Sequence, residues 1–270
     1  MVKVKICGIT NSSDALYAVG LGADYLGFNF YKKSQRKVSV DMAKEIITKL
    51  PPVAAPVGIF VNEEINIIFE IVQKCGLKLV QLHGNESPEY CQSLAVSLSQ
   101  STQSPVTGKE SVETEPKPKL TCESGQKQLV VDPDIKTNPD QTETTALTAQ
   151  VITPLPKGHI PIIKAFRIKG PGTIKYLSRY KQFVDYFLLD TYLPGEPGGT
   201  GETFNWELAV KAKEYGKPVF LAGGLTPENV ADAIKQVQPY AVDVATGVER
   251  LPRRKDYDKM KQFITIVKKI

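Results

Sequence analysis

The chain has 270 residues, of which 41% are hydrophobic, enough to bury a sizeable core as one large domain or two small ones. Thirty-four Lys and Arg against 29 Asp and Glu leave a net charge of +5, and because these cations are scattered rather than clustered, no nucleic-acid partner is expected. No apolar run approaches the roughly 18 residues that crossing a bilayer requires, so no membrane partner is expected either.

Eight short apolar, β-branched runs follow one another along the chain, most trailed by a turn signal and a helical pattern. The first begins near Val2 (VKVKIC). A strand this early leaves no signal or transit peptide ahead of the fold, which points to the cytoplasm. Asn11-Ser12-Ser13-Asp14 then offers N-cap side chains for a helix through Ala15, Leu16 and Val19. Further runs begin near Tyr25 (YLGFNF), Pro56 (PVGIFV) and Lys78 (KLVQLH), the last followed by a Ser87-Pro88-Glu89 helix start. The remaining four begin near Pro161 (PIIKAF), Val184 (VDYFLLD), Lys217 (KPVFLAGG) and Ala241 (AVDVATG). After the seventh, Thr226-Pro227-Glu228 sets a cap, a first-turn proline and an acid in favoured order. A closing helix from about Asp256 to Lys268 puts Met260, Phe263, Ile264 and Val267 on one face.

Six of the seven intervals between successive strands average 26 residues, the size of one strand–loop–helix–loop unit. Eight such units predict an α/β fold closed as a (β/α)8 TIM barrel. The remaining interval, between the fourth and fifth strands, is 83 residues long. It holds residues 99–158, of which only 14 in 60 are apolar, and no aromatic residue lies between Tyr90 and Phe166. Such a segment cannot bury enough surface to offset its ordering entropy. It is expected to be a flexible, low-complexity insertion between helix 4 and strand 5, with a local hairpin of Leu129–Val131 and Val151–Ile152 as the one structured alternative. Residues 1–270 are thus expected to form a single interrupted barrel.

In a barrel of this kind the active site lies at the C-terminal ends of the strands. Cys7 ends the first strand, and period-two alternation puts Lys3, Lys5 and Cys7 on one face with Val2, Val4 and Ile6 on the other. Lys5 should therefore point inward beneath the cysteine, where its ammonium would favour the thiolate. A lone cysteine is also commonly a small buried hydrophobe. Asp190 ends the sixth strand, either as a loop cap or as a partly desolvated general acid. Asp243 is read equally as a structural hydrogen-bonder. Arg36 sits in the basic run Lys32–Lys37, which is either a solvated loop or a source of a bidentate grip on a carboxylate. Gly223-Gly224 and Thr246-Gly247 close strands seven and eight, where such barrels often bind phosphate. The glycine-rich run Pro194–Gly201 reads as a mobile lid. Four cysteines without a C-x-x-C pair and two histidines, His83 and His159, make a disulfide framework or a zinc site unexpected.

The segments VKICGIT (4–10), GADYLGFNFYKKSQRKVS (22–39), VGIFVN (57–62), VQLHGNE (80–86), LLDT (188–191), GGTGETFNW (198–206), AGGLTPENV (222–230) and VDVATGVE (242–249) closely resemble phosphoribosylanthranilate isomerase. The match spans both ends and all eight units in order. The resemblance implies an Amadori rearrangement in tryptophan biosynthesis, acting on a small phosphorylated substrate without metal or cofactor. It implies Cys7 as general base, Asp190 as general acid and Arg36 as the partner of the anthranilate carboxylate. Gly223, Gly224, Thr246 and Gly247 match its phosphate turns, and Asp243 and His83 match positions near the ribose. Ala245 departs from the pattern, since some members carry serine there. Two alternatives stand beside this reading: a catalytically silent phosphosugar-binding barrel, and a histidine-pathway aminoaldose isomerase. The first is expected to lack Cys7 or Asp190, and the second to end its first strand in aspartate. Monomer and homodimer are both open.

Overall fold

A computed structural model of the chain describes residues 1–100, 159–191 and 205–270. Residues 101–158 of the expected insertion, with Cys122 and the Leu129–Ile152 hairpin, and the Pro194–Gly201 lid lie outside the described residues. Eight parallel strands close into a barrel in sequential order: β1 (Lys3–Cys7), β2 (Tyr25–Asn29), β3 (Ala55–Phe60), β4 (Leu79–Leu82), β5 (Ile162–Ile168), β6 (Tyr186–Thr191), β7 (Val219–Leu221) and β8 (Ala241–Val244). Each lies within two residues of its expected start. Between them run α1 (Ser12–Gly20), α2 (Val40–Thr48), α3 (Ile65–Cys75), α4 (Pro88–Gln100), α5 (Pro171–Leu177), α6 (Glu207–Ala212) and α7 (Val230–Val237), and α8 (Tyr257–Lys269) closes the described chain. A two-stranded antiparallel hairpin, β9 (Glu249–Leu251) with β10 (Arg254–Lys255), follows β8 and was not foreseen.

Local chemistry accounts for the helix starts. Asn11 Oδ1 accepts the Asp14 N–H at 2.8 Å, Ser87 Oγ accepts that of Tyr90 at 3.2 Å, and Asp256 Oδ1 accepts that of Lys259 at 3.1 Å. Helix α4 continues to Gln100, taking in the first two residues of the expected insertion. Helix α7 begins at Val230 rather than at Pro227, because Asn229 closes a separate turn, accepting from Thr226 N and donating to Gly224 O.

Alternation along the strands divides the core into two layers. Val4, Ile6, Leu26, Phe28, Phe187 and Val242 face outward and pack with the helices, with Met260, Phe263, Ile264 and Val267 of α8 buried among them. Inside the barrel, Val57, Leu79, Ile163, Leu188 and Phe220 form a smaller cluster, closed at the strand N-termini by Tyr25, Tyr186 and Tyr240. Tyr25 and Tyr240 share a hydroxyl hydrogen bond of 2.8 Å, and Phe220 contacts three tyrosine rings edge-on or tilted. One end of the barrel is therefore filled with aromatic rings, and the polar inward residues are left at the other.

Candidate active site

At the C-terminal end of β1, the Cys7 side chain lies over Gly27 of β2; a β-carbon on that glycine would stand only 3.0 Å from the sulfur. Two residues earlier on the same face, Lys5 is fully buried, with Nζ 2.9 Å from Asp243 Oδ1. The pair is set by strand register, since Lys5 and Asp243 are direct neighbours across β1 and β8. Burial opposes the charge on Lys5, but Asp243 and the Cys7 sulfur outweigh it and hold the ammonium above its ordinary pKa. For Cys7 the balance runs the other way. Burial pushes the thiol up, Lys5 and Lys255 pull it down, and Asp243 opposes them; burial wins. Lys5 does favour the thiolate, as expected, but burial, helped by Asp243, outweighs it. Asp243 itself is the buried counter-ion of Lys5.

Across the mouth, Asp190 on β6 accepts the Thr191 N–H through Oδ1 at 2.9 Å, and its Oδ2 lies 3.3 Å from His83 Nε2. His83 follows β4, its backbone N–H held by Phe60 O at 2.8 Å and its Nδ1 3.0 Å from Gln81 Nε2. Beneath this loop lies a buried ion pair. Lys164 Nζ is 3.0 Å from Glu86 Oε2 and also donates to Gly84 O, while Glu86 accepts the N–H groups of Asn62 and Gly84.

Arg36 separates from its basic neighbours. Lys32, Lys33 and Lys37 are exposed, whereas Arg36 turns inward across Gly8, whose positive φ of 78° and bare Cα leave room for the arginine stem. Its guanidinium grips Glu249 side-on, with Nε to Oε1 at 2.8 Å and Nη2 to Oε2 at 2.6 Å. The hydrogen bonds to Glu249 raise the Arg36 pKa further, against burial. Glu249 in turn meets Lys255, whose fully buried ammonium also donates to Cys7 O at 2.6 Å and Ala245 O at 3.0 Å. Burial pulls Lys255 below its ordinary value even beside Glu249. Neither Glu249 nor Lys255 was singled out from sequence as a site residue. The available signals were that Glu249 ends the matching segment VDVATGVE and that Lys255 directly precedes the cap of the last helix.

The two glycine turns adjoin. Gly223 and Gly224 have φ of 84° and 66°, and among the described residues no acceptor takes either N–H. A side chain on Gly223 would strike Thr191, and one on Gly247 would strike the Leu225 carbonyl. Thr246–Val248 forms a single 3-10 turn. Because α7 starts at Val230, the Gly223 and Gly224 N–H groups belong to a turn, and the helix start expected at Thr226-Pro227-Glu228 is corrected.

The arrangement gathers a thiol, a carboxyl with an imidazole, a guanidinium and free N–H groups at the same end of one barrel. The family model for N-(5'-phosphoribosyl)anthranilate (PRA) isomerase matches residues 4–130 and 148–266. The chain belongs to this family. The matched ranges include all nine expected site residues, as well as Glu249 and Lys255. A PRA isomerase of Geobacter sp. strain M21 is 39% identical over 270 residues, covering all of both chains. The solved PRA isomerase of Thermotoga maritima is 34% identical with a TM-score of 0.73, again over all of both chains, and the Thermotoga maritima protein is described as dimeric. A solved relative 32% identical, TM-score 0.70 and full coverage, is in complex with reduced 1-(o-carboxyphenylamino)-1-deoxyribulose 5-phosphate. The activity is isomerisation of N-(5'-phosphoribosyl)anthranilate to the corresponding aminodeoxyribulose phosphate, a step of tryptophan biosynthesis.

Proposed function

We propose that Cys7 and Asp190 carry this isomerisation as general base and general acid. The observation that carries the reading is their common end of the barrel, on β1 and β6, both inward by alternation and each beside a polar partner. Asp190 donates its proton to the ribose ring oxygen as the C1'–O bond breaks, and the anthranilate nitrogen lone pair forms a C1'=N iminium. That cation acidifies the C2' proton, which the Cys7 thiolate removes. The C2'–H electrons become a C1'=C2' bond and those of the iminium return to nitrogen. The enolamine loses its O2' proton and gains one at C1', giving the ketone. Acid and base act at neighbouring sugar atoms from opposite sides of the mouth.

Arg36 takes the anthranilate carboxylate. Its second donor edge supports this, since among the described residues nothing accepts from Nη1. Gly223, Gly224, Thr246 and Gly247 hold the phosphate through backbone N–H groups, so the Ala245 departure costs little. His83 and Asp243 bound the ribose. Residues 1–270 act as one barrel interrupted between α4 and β5, as monomer or homodimer, in the cytoplasm. No described helix is long and apolar enough to cross a membrane. The deciding experiment follows consumption of the fluorescent substrate by the purified protein; no loss of fluorescence over that of protein-free buffer would end the reading.

A further inference from the structure

The hairpin after β8 has no part in the chemistry described so far, yet it makes the most concentrated set of buried polar contacts near Cys7. Glu249 is 4% exposed and Lys255 fully buried. Between them they touch the ends of β1 and β8, through Cys7 O and Ala245 O, and the β2–α2 loop, through Arg36. The rest of the hairpin also binds the segment after β1, the β2–α2 loop and α1. Arg253 O accepts from Thr10 Oγ1 at 2.8 Å, Arg253 Nη1 donates to Lys37 O at 2.9 Å, and Lys255 N donates to Asp14 Oδ2 at 3.1 Å.

A guanidinium offers two edges with parallel N–H pairs. Glu249 occupies the Nε/Nη2 edge, which leaves the Nη1/Nη2 edge in the same plane for a second carboxylate. Held by its stem alone, Arg36 would lose rotamer freedom each time it engaged a ligand. Held by Glu249, it has already lost that freedom. Lys255 fixes Glu249 in turn, because its ammonium binds Oε1 while anchored to two strand-end carbonyls. A bare Arg36–Glu249 pair would also cancel the charge meant for a substrate anion. Lys255 restores it, leaving the triad Arg36–Glu249–Lys255 with one net positive charge.

We propose that Glu249 and Lys255 are positioning residues for the isomerisation, holding the Arg36 guanidinium so that its open edge meets the substrate carboxylate. This rests on the reading that Arg36 binds that carboxylate. The role explains why a charged pair is kept in a dry position where it is otherwise expensive to bury. It also gives Glu249 of the hairpin a function in substrate binding.

The test uses the full chain and two ligands: reduced 1-(o-carboxyphenylamino)-1-deoxyribulose 5-phosphate and its counterpart without the carboxyl group, each titrated against wild type, Arg36→Met, Glu249→Gln and Glu249→Asp. Glu249→Asp keeps the negative charge between two buried cations, so it folds where a neutral variant fails, but it is too short for the side-on grip. Hydrogen bonds to charged groups are worth roughly tenfold or more in affinity. Glu249→Asp and Glu249→Gln are therefore expected to weaken the carboxylated ligand about tenfold and the other less than about twofold. In turnover the same Glu249 variants raise KM about tenfold with kcat within about threefold; Lys255→Met raises KM likewise but also lowers kcat, because Lys255 favours the Cys7 thiolate, and Lys255→Arg recovers part of both losses. If Arg36→Met weakens both ligands alike, the Arg36 reading fails and this proposal with it. If Arg36→Met discriminates but the folded Glu249 variants do not, or if they lower kcat with KM unchanged, Glu249 does not position Arg36.

Discussion

His83 presents Nε2 to Asp190 Oδ2 at 3.3 Å while its Nδ1 lies 3.0 Å from the Gln81 amide nitrogen. A Gln81 N–H donating to Nδ1 would put the ring proton on Nε2, facing the carboxyl. Asp190 is restrained through Oδ1 by the Thr191 N–H, with the imidazole beside Oδ2. Both contacts fix the aim of the proposed acid. Asp190→Asn is expected to lower kcat by about a hundredfold or more, the scale of a positioned acid. His83→Ala, which removes only the second restraint, is expected to lower it by about tenfold. Steady-state kinetics on the two variants settle the order, and an equal loss in both would assign His83 a direct chemical step.

The pH profile follows from the environment of Cys7. The acid must carry a proton and the base must not, so kcat/KM is carried by a singly protonated form and is bell-shaped. Burial raises the Cys7 thiol above its ordinary 9.0 despite Lys5 and Lys255. Its limb is therefore expected on the alkaline side, above pH 9.0, and Cys7→Ala is expected to lose about a hundredfold or more in turnover. Rates from pH 5 to pH 10.5 on the wild type check the first statement. A thiol limb near neutrality, moved by substitution at Cys7, would show that the neighbouring cations outweigh burial after all.

The buried pair Glu86–Lys164 supports the loop that carries His83. Glu86 satisfies two loop N–H groups and one ammonium at once, at side-chain exposures of 1% and 3% for the acid and the lysine. Removing one partner of such a pair leaves an uncompensated buried charge, which costs about 3–5 kcal/mol. Glu86→Ala is therefore expected to lower the unfolding free energy obtained from urea titration by that amount, and to lower kcat through His83 in the fraction that stays folded. Lys164→Met, which replaces the cation by an apolar stem, is expected to cost less only when combined with Glu86→Gln. The double variant measured against both singles gives the coupling.

What was legible in the sequence is what repeats or what depends on neighbours. Strand spacing announced the barrel, and alternation put Lys5 and Cys7 on the inner face because a pleat leaves no other choice. The glycine turns were legible because Gly223 and Gly224 occupy backbone conformations that other residues resist. Pairing across the fold was not. Asp243 lies 238 positions from the lysine it neutralises, and Glu249 lies 213 from Arg36, so neither partner could be named from local sequence. The late start of α7 was missed for a smaller reason: Thr226-Pro227 has the chemistry of a helix start, but the Asn229 side chain takes the Thr226 N–H and closes a turn first.

The long interval between α4 and β5 tests whether position in the barrel decides function. Helix α4 ends at Gln100, and the chain is described again from His159, whose Nε2 lies 2.9 Å from Asp185 Oδ2. The same carboxylate accepts the Ile162 N–H at 2.7 Å. Both contacts precede β5 and β6, so the return is anchored where strands begin, at the end filled by Tyr25, Tyr186 and Tyr240. The proposed site lies at the other end, beyond the inner cluster of the barrel. Replacing residues 101–157 by a short flexible linker, with His159 kept, is therefore expected to leave kcat and KM within about threefold. Shortening a loop also changes its closure entropy only slowly with length, so the unfolding midpoint should shift little. Kinetics and urea unfolding on the shortened chain check both. A large fall in kcat at unchanged stability would show that the interval, although it leaves and returns at the far face, acts at the site.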